Sequence, residues 1–229
     1  ELAQMGGSEQ SAAALAEEVQ LAKKEASQLA SQLHDIRSHA ATSLAKQIHE
    51  QLKDLYMEKA IFSVKFAQQR LSATGFDNVE FYIQTNLGEG AKPLAKIASG
   101  GELSRMMLAM KTIFSREQGV TSIIFDEVDT GVSGRVAQAI AEKIAVIGRY
   151  SQVLTITHLP QVAAIADHHF FIEKQVVGER TETTVRQLPE NQRIDELARM
   201  LSGNELTSAA KENARDLLKR AHDNKNSKE

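Results

Sequence analysis

Two short stretches hold residues whose types and spacing can do chemistry. The first is Ile97-Ala98-Ser99-Gly100-Gly101-Glu102-Leu103-Ser104-Arg105, which follows Pro93 and opens a helical pattern running to about Arg116. Ser99 is placed as an N-cap, and Glu102 closes a capping box. Gly100 and Gly101 leave the backbone N–H groups of the first turn uncovered. Such a helix start attracts anions through its unpaired N–H groups and the positive end of its dipole. Taken alone, the pattern is equally an ordinary helix cap.

The second stretch is Val120-Thr121-Ser122-Ile123-Ile124-Phe125, a short apolar run that reads as a buried strand and ends in Asp126-Glu127. In open parallel sheets, ligands sit at this carboxyl edge. Asp129-Thr130-Gly131-Val132-Ser133-Gly134 then turns into another helix. A further apolar strand, Val153-Leu154-Thr155-Ile156-Thr157, ends in His158. Hydrolysis of a nucleoside triphosphate needs a phosphate cradle, a metal and a group that orients the attacking water. Asp126 suits Mg²⁺, which takes few protein carboxylates and keeps several waters. Glu127 suits polarisation of the water, a role worth about 10²- to 10⁴-fold. His158 suits a hydrogen bond to the terminal phosphate. Without the glycine-rich helix start, the plain readings are a solvated acidic turn and a satisfied strand-end histidine. The cradle itself is missing, because no G-x-x-x-x-G-K-[ST] occurs in the chain.

The elements that must position these residues are legible in outline. From about Gln10 to Glu58 there is neither Pro nor Gly. Apolar residues recur at Leu15, Val19, Ala22, Ala26, Leu29, Leu33, Ile36 and Ala40 in alternating steps of four and three, the seam of a coiled coil. Beyond Ala40 the steps run in fours through Leu44, Ile48 and Leu52, a stutter that locally unwinds a supercoil. A helix of about 50 residues is roughly 70 Å long and its seam needs a partner helix. An amphipathic helix lying on a globular head is the alternative. Gly6-Gly7-Ser8 predicts a break before it. His34, His39 and His49 read as solvated face residues.

From Ala60 the period changes to two. Phe62, Val64 and Phe66 form one alternating set, and Val79, Phe81 and Ile83 another, which predicts an antiparallel pair with one buried face. Helices are expected over 135–147, 160–166, 193–201 and 206–221, with a hairpin over 170–188 turning at Gly178. Met106, Met107 and Met110 read as core packing, and Arg105 as reaching either a phosphate or an acidic neighbour. His168 and His169 are adjacent on a strand and face opposite ways, so they read as structural. Leu201-Ser202-Gly203 imitates the first stretch, but Gly203 falls where a helix C-cap belongs.

Composition narrows the class. The net charge of −3 offers no global field for nucleic acid, and no Arg/Lys cluster interleaved with aromatics appears. There is no Cys, hence no disulfide frame. No apolar run approaches the roughly 20 residues of a membrane helix, so a cytoplasmic protein without a membrane partner is expected. The chain opens on Glu1 rather than Met, and a longer protein is expected.

The order of these parts resembles the C-terminal half of an ABC-type ATPase head. Ser99-Gly100-Gly101-Glu102 looks like the signature motif and Ile123 to Glu127 like Walker B with its catalytic glutamate. Asp129 resembles the start of the D-loop and His158 the switch histidine. The coil selects the SMC-like DNA-maintenance branch, since transporter domains lack it. Asp129-Thr130-Gly131 in place of a Leu-Asp turn is similar to the repair members of that branch rather than the chromosome-condensing ones.

The resemblance implies an α/β fold, a mostly parallel sheet flanked by helices with antiparallel strands added. It implies a coil over 1–58, a C-terminal head lobe over 59–221 and a disordered tail over 222–229. It implies ATP and Mg²⁺ as cofactors, with Glu127 and His158 catalytic, Asp126 on the metal, and Ser99, Gly100, Gly101, Glu102 and Asp129 on the nucleotide. Implied partners are DNA ends or single-stranded overhangs, an N-terminal lobe carrying the P-loop, and a second copy joined through nucleotide-sandwiched heads. The implied setting is double-strand break repair in the bacterial nucleoid. A tethering coil with a vestigial nucleotide site is the alternative.

Overall fold

The computed structural model describes residues 2–86, 88, 90–96, 100–115, 121–126, 128–178, 180–203 and 206–226; side chains at 2–11, 177 and 224–226 are outside the description. The chain divides into two compact units, Glu1–His49 with Lys59–Lys96, and Glu50–Glu58 with Ile97–Glu229.

In the first unit, helix α1 (Leu2–Asp54) carries the β1 (Ile61–Ser72) and β2 (Gly75–Gln84) hairpin, extended by the two-residue strand β3 (Lys92–Pro93). A 3₁₀ turn, Leu94–Lys96, follows. The two alternating sets lie directly opposite each other: Phe62 faces Ile83, Val64 faces Phe81 and Phe66 faces Val79. Same-face pairs across an antiparallel ladder are the unit of sheet stabilisation, and the Phe62 and Phe81 rings sit 5.4 Å apart. The strands outrun the alternation, since polar Gln68, Gln69 and Arg70 also belong to β1.

The hairpin tip rests on α1. Gly75 has φ +86°, and a Cβ there would meet Leu33 Cδ2 at 3.2 Å, so both backbone and packing call for glycine. Next to it Asp77, with a side chain only 3% exposed, accepts from His34 Nδ1 at 2.7 Å and Arg37 Nη1 at 3.2 Å. The His34 ring also packs on Phe66 and Phe76. His34 is therefore a clamp rather than a solvated face residue. No local pattern signals a partner 43 residues away. His39 instead bonds one turn back, to the Asp35 carbonyl.

The predicted seam divides. Leu15, Val19, Leu29 and Ile36 are exposed, whereas Ile48, Leu52 and Leu55 are fully buried. The fully buried seam residues all lie beyond the stutter after Ala40. The helix also runs through Gly6-Gly7 without the expected break; a mid-helix glycine costs only about 1 kcal/mol.

The second unit begins with the end of α1. There Tyr56 takes φ 59°, Tyr56 N–H donates to the Lys53 carbonyl and Met57 N–H to the Leu52 carbonyl. This is a Schellman cap with tyrosine where glycine is usual. Lys143 Nζ fastens the same turn, donating to Gln51 Oε1 at 2.7 Å and Asp54 Oδ2 at 2.6 Å. Lys143 belongs to α3 (Gly134–Ile147), which buries Ile140, Ile144 and Ile147. Helix α2 (Gly100–Phe114) buries Met106 and leaves Met107 exposed.

Strands β4 (Ser122–Phe125) and β5 (Gln152–Thr155) pair in parallel. The short α4 (Pro160–Ile165) follows, then the antiparallel hairpin of β6 (Phe170–Val177) and β7 (Arg180–Gln187), which turns at Gly178 with φ +65°. Helices α5 (Glu190–Ser202) and α6 (Ser208–Asn226) complete the unit. Gly203 caps α5 through its N–H to the Arg199 carbonyl. Helix α6 takes in the first five residues of the expected disordered tail, because the residues from His222 are polar but include no Gly or Pro. Arg193 on α5 donates from Nη2 to the carbonyls of Ala163, Ala164 and Ala166, at 3.2, 2.8 and 2.5 Å, and so closes the end of α4.

The α/β class holds, with a different balance inside it. Among the described residues parallel pairing is confined to β4 and β5, and antiparallel ladders carry the rest.

Two outcomes are expected. Burial alone would raise the Asp77 pKa, but hydrogen bonds and positive charge from His34 and Arg37 outweigh it and hold the carboxyl below its ordinary 3.8. A depressed folded-state value means that Asp77 contributes its full stability above pH 3.8 and loses it as pH falls through the lowered value. Hydrogen exchange of the β1 and β2 amides should therefore speed up over that acid range, and Asp77→Asn should remove this dependence. Tyr56→Gly should raise urea-measured stability by up to about 1 kcal/mol, by releasing left-handed strain.

Candidate functional site

The parallel register sets the site. Ser122 lies opposite Gln152 and Phe125 opposite Thr155, and Ile156 N–H donates to the Phe125 carbonyl at 3.0 Å. Because the strands run the same way, both carboxyl ends emerge at one edge. Asp126 leaves β4 there and is exposed. Among the described residues it has no hydrogen bond or ion pair. His158 leaves β5 at the same edge, with its side chain 67% exposed. An exposed, unengaged carboxylate at this edge fits a Mg²⁺ ion that binds through one carboxylate and keeps its waters.

Asp129 is a buried carboxylate, 1% exposed. Thr157 Oγ1 donates to its Oδ2, and its Oδ1 lies 3.7 Å from His158 Nδ1. Thr157 Oγ1 also accepts from Leu159 N–H at 3.0 Å. Thr157 is thus a site residue that the sequence reading missed. Its only signal is a hydroxyl on the residue before His158, and nothing local points to an aspartate 28 residues earlier.

The anion-binding helix end is only partly in view. Ser99 and Glu127 both lie outside the described residues, so neither the capping box nor the placement of Glu127 enters the geometry. Gly100, Gly101 and Glu102 form the first turn of α2. A Cβ on Gly101 would meet the Thr130 carbonyl at 3.1 Å, so glycine lets α2 approach the 129–131 turn. That turn has φ +72° at Gly131. Arg105 Nη1 reaches the same carbonyl at 3.5 Å. Burial lowers the Arg105 pKa and the nearby Glu102 carboxylate partly offsets this.

His168 and His169 prove separate. His168 Nδ1 pairs with Gln187 Nε2 at 3.0 Å. The pKa of His169 is pushed down, first by burial and then by the Arg193 charge, with Glu196 opposing.

No family model matches the chain. The fold is that of an SMC-type head. It aligns with the crystal structure of the Smc head domain with a coiled coil and joint from Pyrococcus yayanosii at a TM-score of 0.50 and 21% identity, over 71% of this chain and 29% of that one. By sequence the chain is similar to the RecN DNA repair proteins over the segment it spans. It is 59% identical to that of Halalkalibacterium halodurans over 191 residues, 81% of this chain and 34% of the relative. It is 51% identical to that of Bacillus subtilis over 208 residues, 84% of this chain and 36% of the relative. The chain therefore spans about a third of the length of the curated relatives it matches. The resemblance to an SMC-type head drawn from the motifs holds for the fold. No helix among the described residues is long and apolar enough to cross a membrane.

The close approach of α2 to the 129–131 turn gives a direct test. Gly101→Val should destabilise by about 1–3 kcal/mol in chemical denaturation, with the largest amide shifts at Thr130 and Gly131.

Proposed function

We propose that this segment is the C-terminal head lobe and adjoining coil of an SMC-like ATPase that acts on DNA ends in double-strand break repair. The observation that carries the reading is the exit of Asp126 and His158 at one strand edge, with Asp126 exposed and unengaged among the described residues. Residues 1–58 would be one strand of an antiparallel coil and the rest, through α6, the lobe. Asp126 would hold Mg²⁺ directly or through water, Glu127 would orient the attacking water, and His158 would hydrogen-bond the terminal phosphate. Mg²⁺ would supply charge neutralisation on the phosphates. Ser99, Gly100, Gly101 and Glu102 would offer their helix end to the nucleotide held by a second copy, so that two heads close on ATP and open after hydrolysis. DNA ends or single-stranded overhangs are the substrate class, and the bacterial nucleoid the setting.

A second observation supports the missing lobe. Parallel sheets are buried on both faces. Here Ile123 and Phe125 are buried, while Ile124, Leu154 and Ile156 are exposed, Ile124 at 69%. Ile124 and Leu154 are register partners. This bare apolar face fits an N-terminal lobe carrying the P-loop, which this chain lacks. The exposed seam at Leu15, Val19, Leu29 and Ile36 fits a returning coil.

In the protein with both lobes, Glu127→Gln is expected to lower ATP turnover by about 10²-fold or more, while this chain alone binds ATP poorly. Unchanged turnover removes Glu127 as catalyst. Full repair by a variant with both Asp126→Ala and Glu127→Ala would favour a tether with a vestigial site.

A further inference from the structure

Resting on the ATPase reading, we propose that Asp129 and Thr157 are positioning residues that fix where His158 carries its proton and which nitrogen it presents at the strand edge. A carboxylate taken out of water must be paired or hydrogen-bonded. Asp129 is 1% exposed, and among the described residues its only close partners are the Thr157 hydroxyl and the His158 ring. The Thr157 hydroxyl is held from both sides, donating to Asp129 Oδ2 and accepting from Leu159 N–H. The backbone around His158 and the plane of the Asp129 carboxylate are thereby fixed to one another.

The other oxygen, Oδ1, is left toward His158 Nδ1. At 3.7 Å this is a charge-pair separation rather than a hydrogen bond. Contacts of this kind often tighten only when the reacting complex forms. An ionised carboxylate accepts only, so it favours the ring form with the proton on Nδ1. Nε2 is then the nitrogen offered at the exposed side. On taking a proton from solvent there, the ring becomes a cation with an N–H for a phosphate oxygen and Asp129 behind it. This is the stabilising role that a buried aspartate plays beside a working histidine. It also gives the buried Asp129 carboxylate a role at the strand edge.

The test reads the ring directly. In this chain, ¹⁵N-edited NMR of His158 at about pH 9, where imidazoles are neutral, should show Nδ1–H as the main tautomer. Asp129→Asn should lower the ratio of Nδ1–H to Nε2–H roughly tenfold, the effect expected on losing a charged acceptor. Thr157→Val should lower it in part and Thr157→Ser should restore it. A merely structural role would move none of these ratios in a folded variant. Should Asp129→Asn fail to fold, the Thr157 pair carries the test. Nε2–H as the main wild-type form, or a ratio indifferent to the substitutions, overturns the proposal. In the two-lobe protein, Thr157→Val should lower kcat with little change in KM for ATP. Because the tautomer is read without turnover, an inactive wild-type protein with the expected ratios would sink the ATPase reading and leave the positioning intact.

Discussion

Everything at the site depends on the parallel hydrogen bonding of β4 with β5. Each strand has only four residues, yet the register fixes where both chains leave the sheet. The bond from Ile156 N–H to the Phe125 carbonyl extends it by one step. Beyond that step the backbone is free to turn, and Asp126 and His158 stand at the two exits. An antiparallel pairing of the same strands would send these residues to opposite ends. The buried 128–129 segment then loops back under the edge, which brings the Asp129 carboxylate to Thr157.

The two units are held by different means. The first relies on a long hairpin laid along a helix and pinned by one buried carboxylate, Asp77. The second is built from short elements fastened at their ends, as Lys143 fastens the last turn of α1 and Arg193 the end of α4. Charge-assisted bonds are stronger than neutral ones. Those from Arg193 to backbone carbonyls compensate for an α4 too short to persist alone.

Much of this was legible in the sequence because it is periodic. The sets Phe62, Val64, Phe66 and Val79, Phe81, Ile83 proved to be facing partners. The strand-ending Asp126 and His158 were legible because apolar runs stop abruptly at them. What escaped was long-range and polar. His34 with Asp77, and Thr157 with Asp129, join residues whose local patterns carry no mark of each other. The outer half of β1 escaped because Gln68, Gln69 and Arg70 do not alternate. The end of α6 escaped because a polar stretch without Gly or Pro reads equally as tail or as helix. The seam was legible as a stripe, but not the change of surroundings that splits it after the stutter.

The Arg193 bonds carry a consequence for how the molecule breathes. A helix of six residues has little cooperativity of its own, so α4 and the first turns of α5 should open as one unit rather than in succession. Pro160, at the head of α4, follows Leu159, whose N–H is held by Thr157. Fraying that starts at a guanidinium on a distant helix would therefore arrive, through a few peptide bonds, at the histidine on the strand edge.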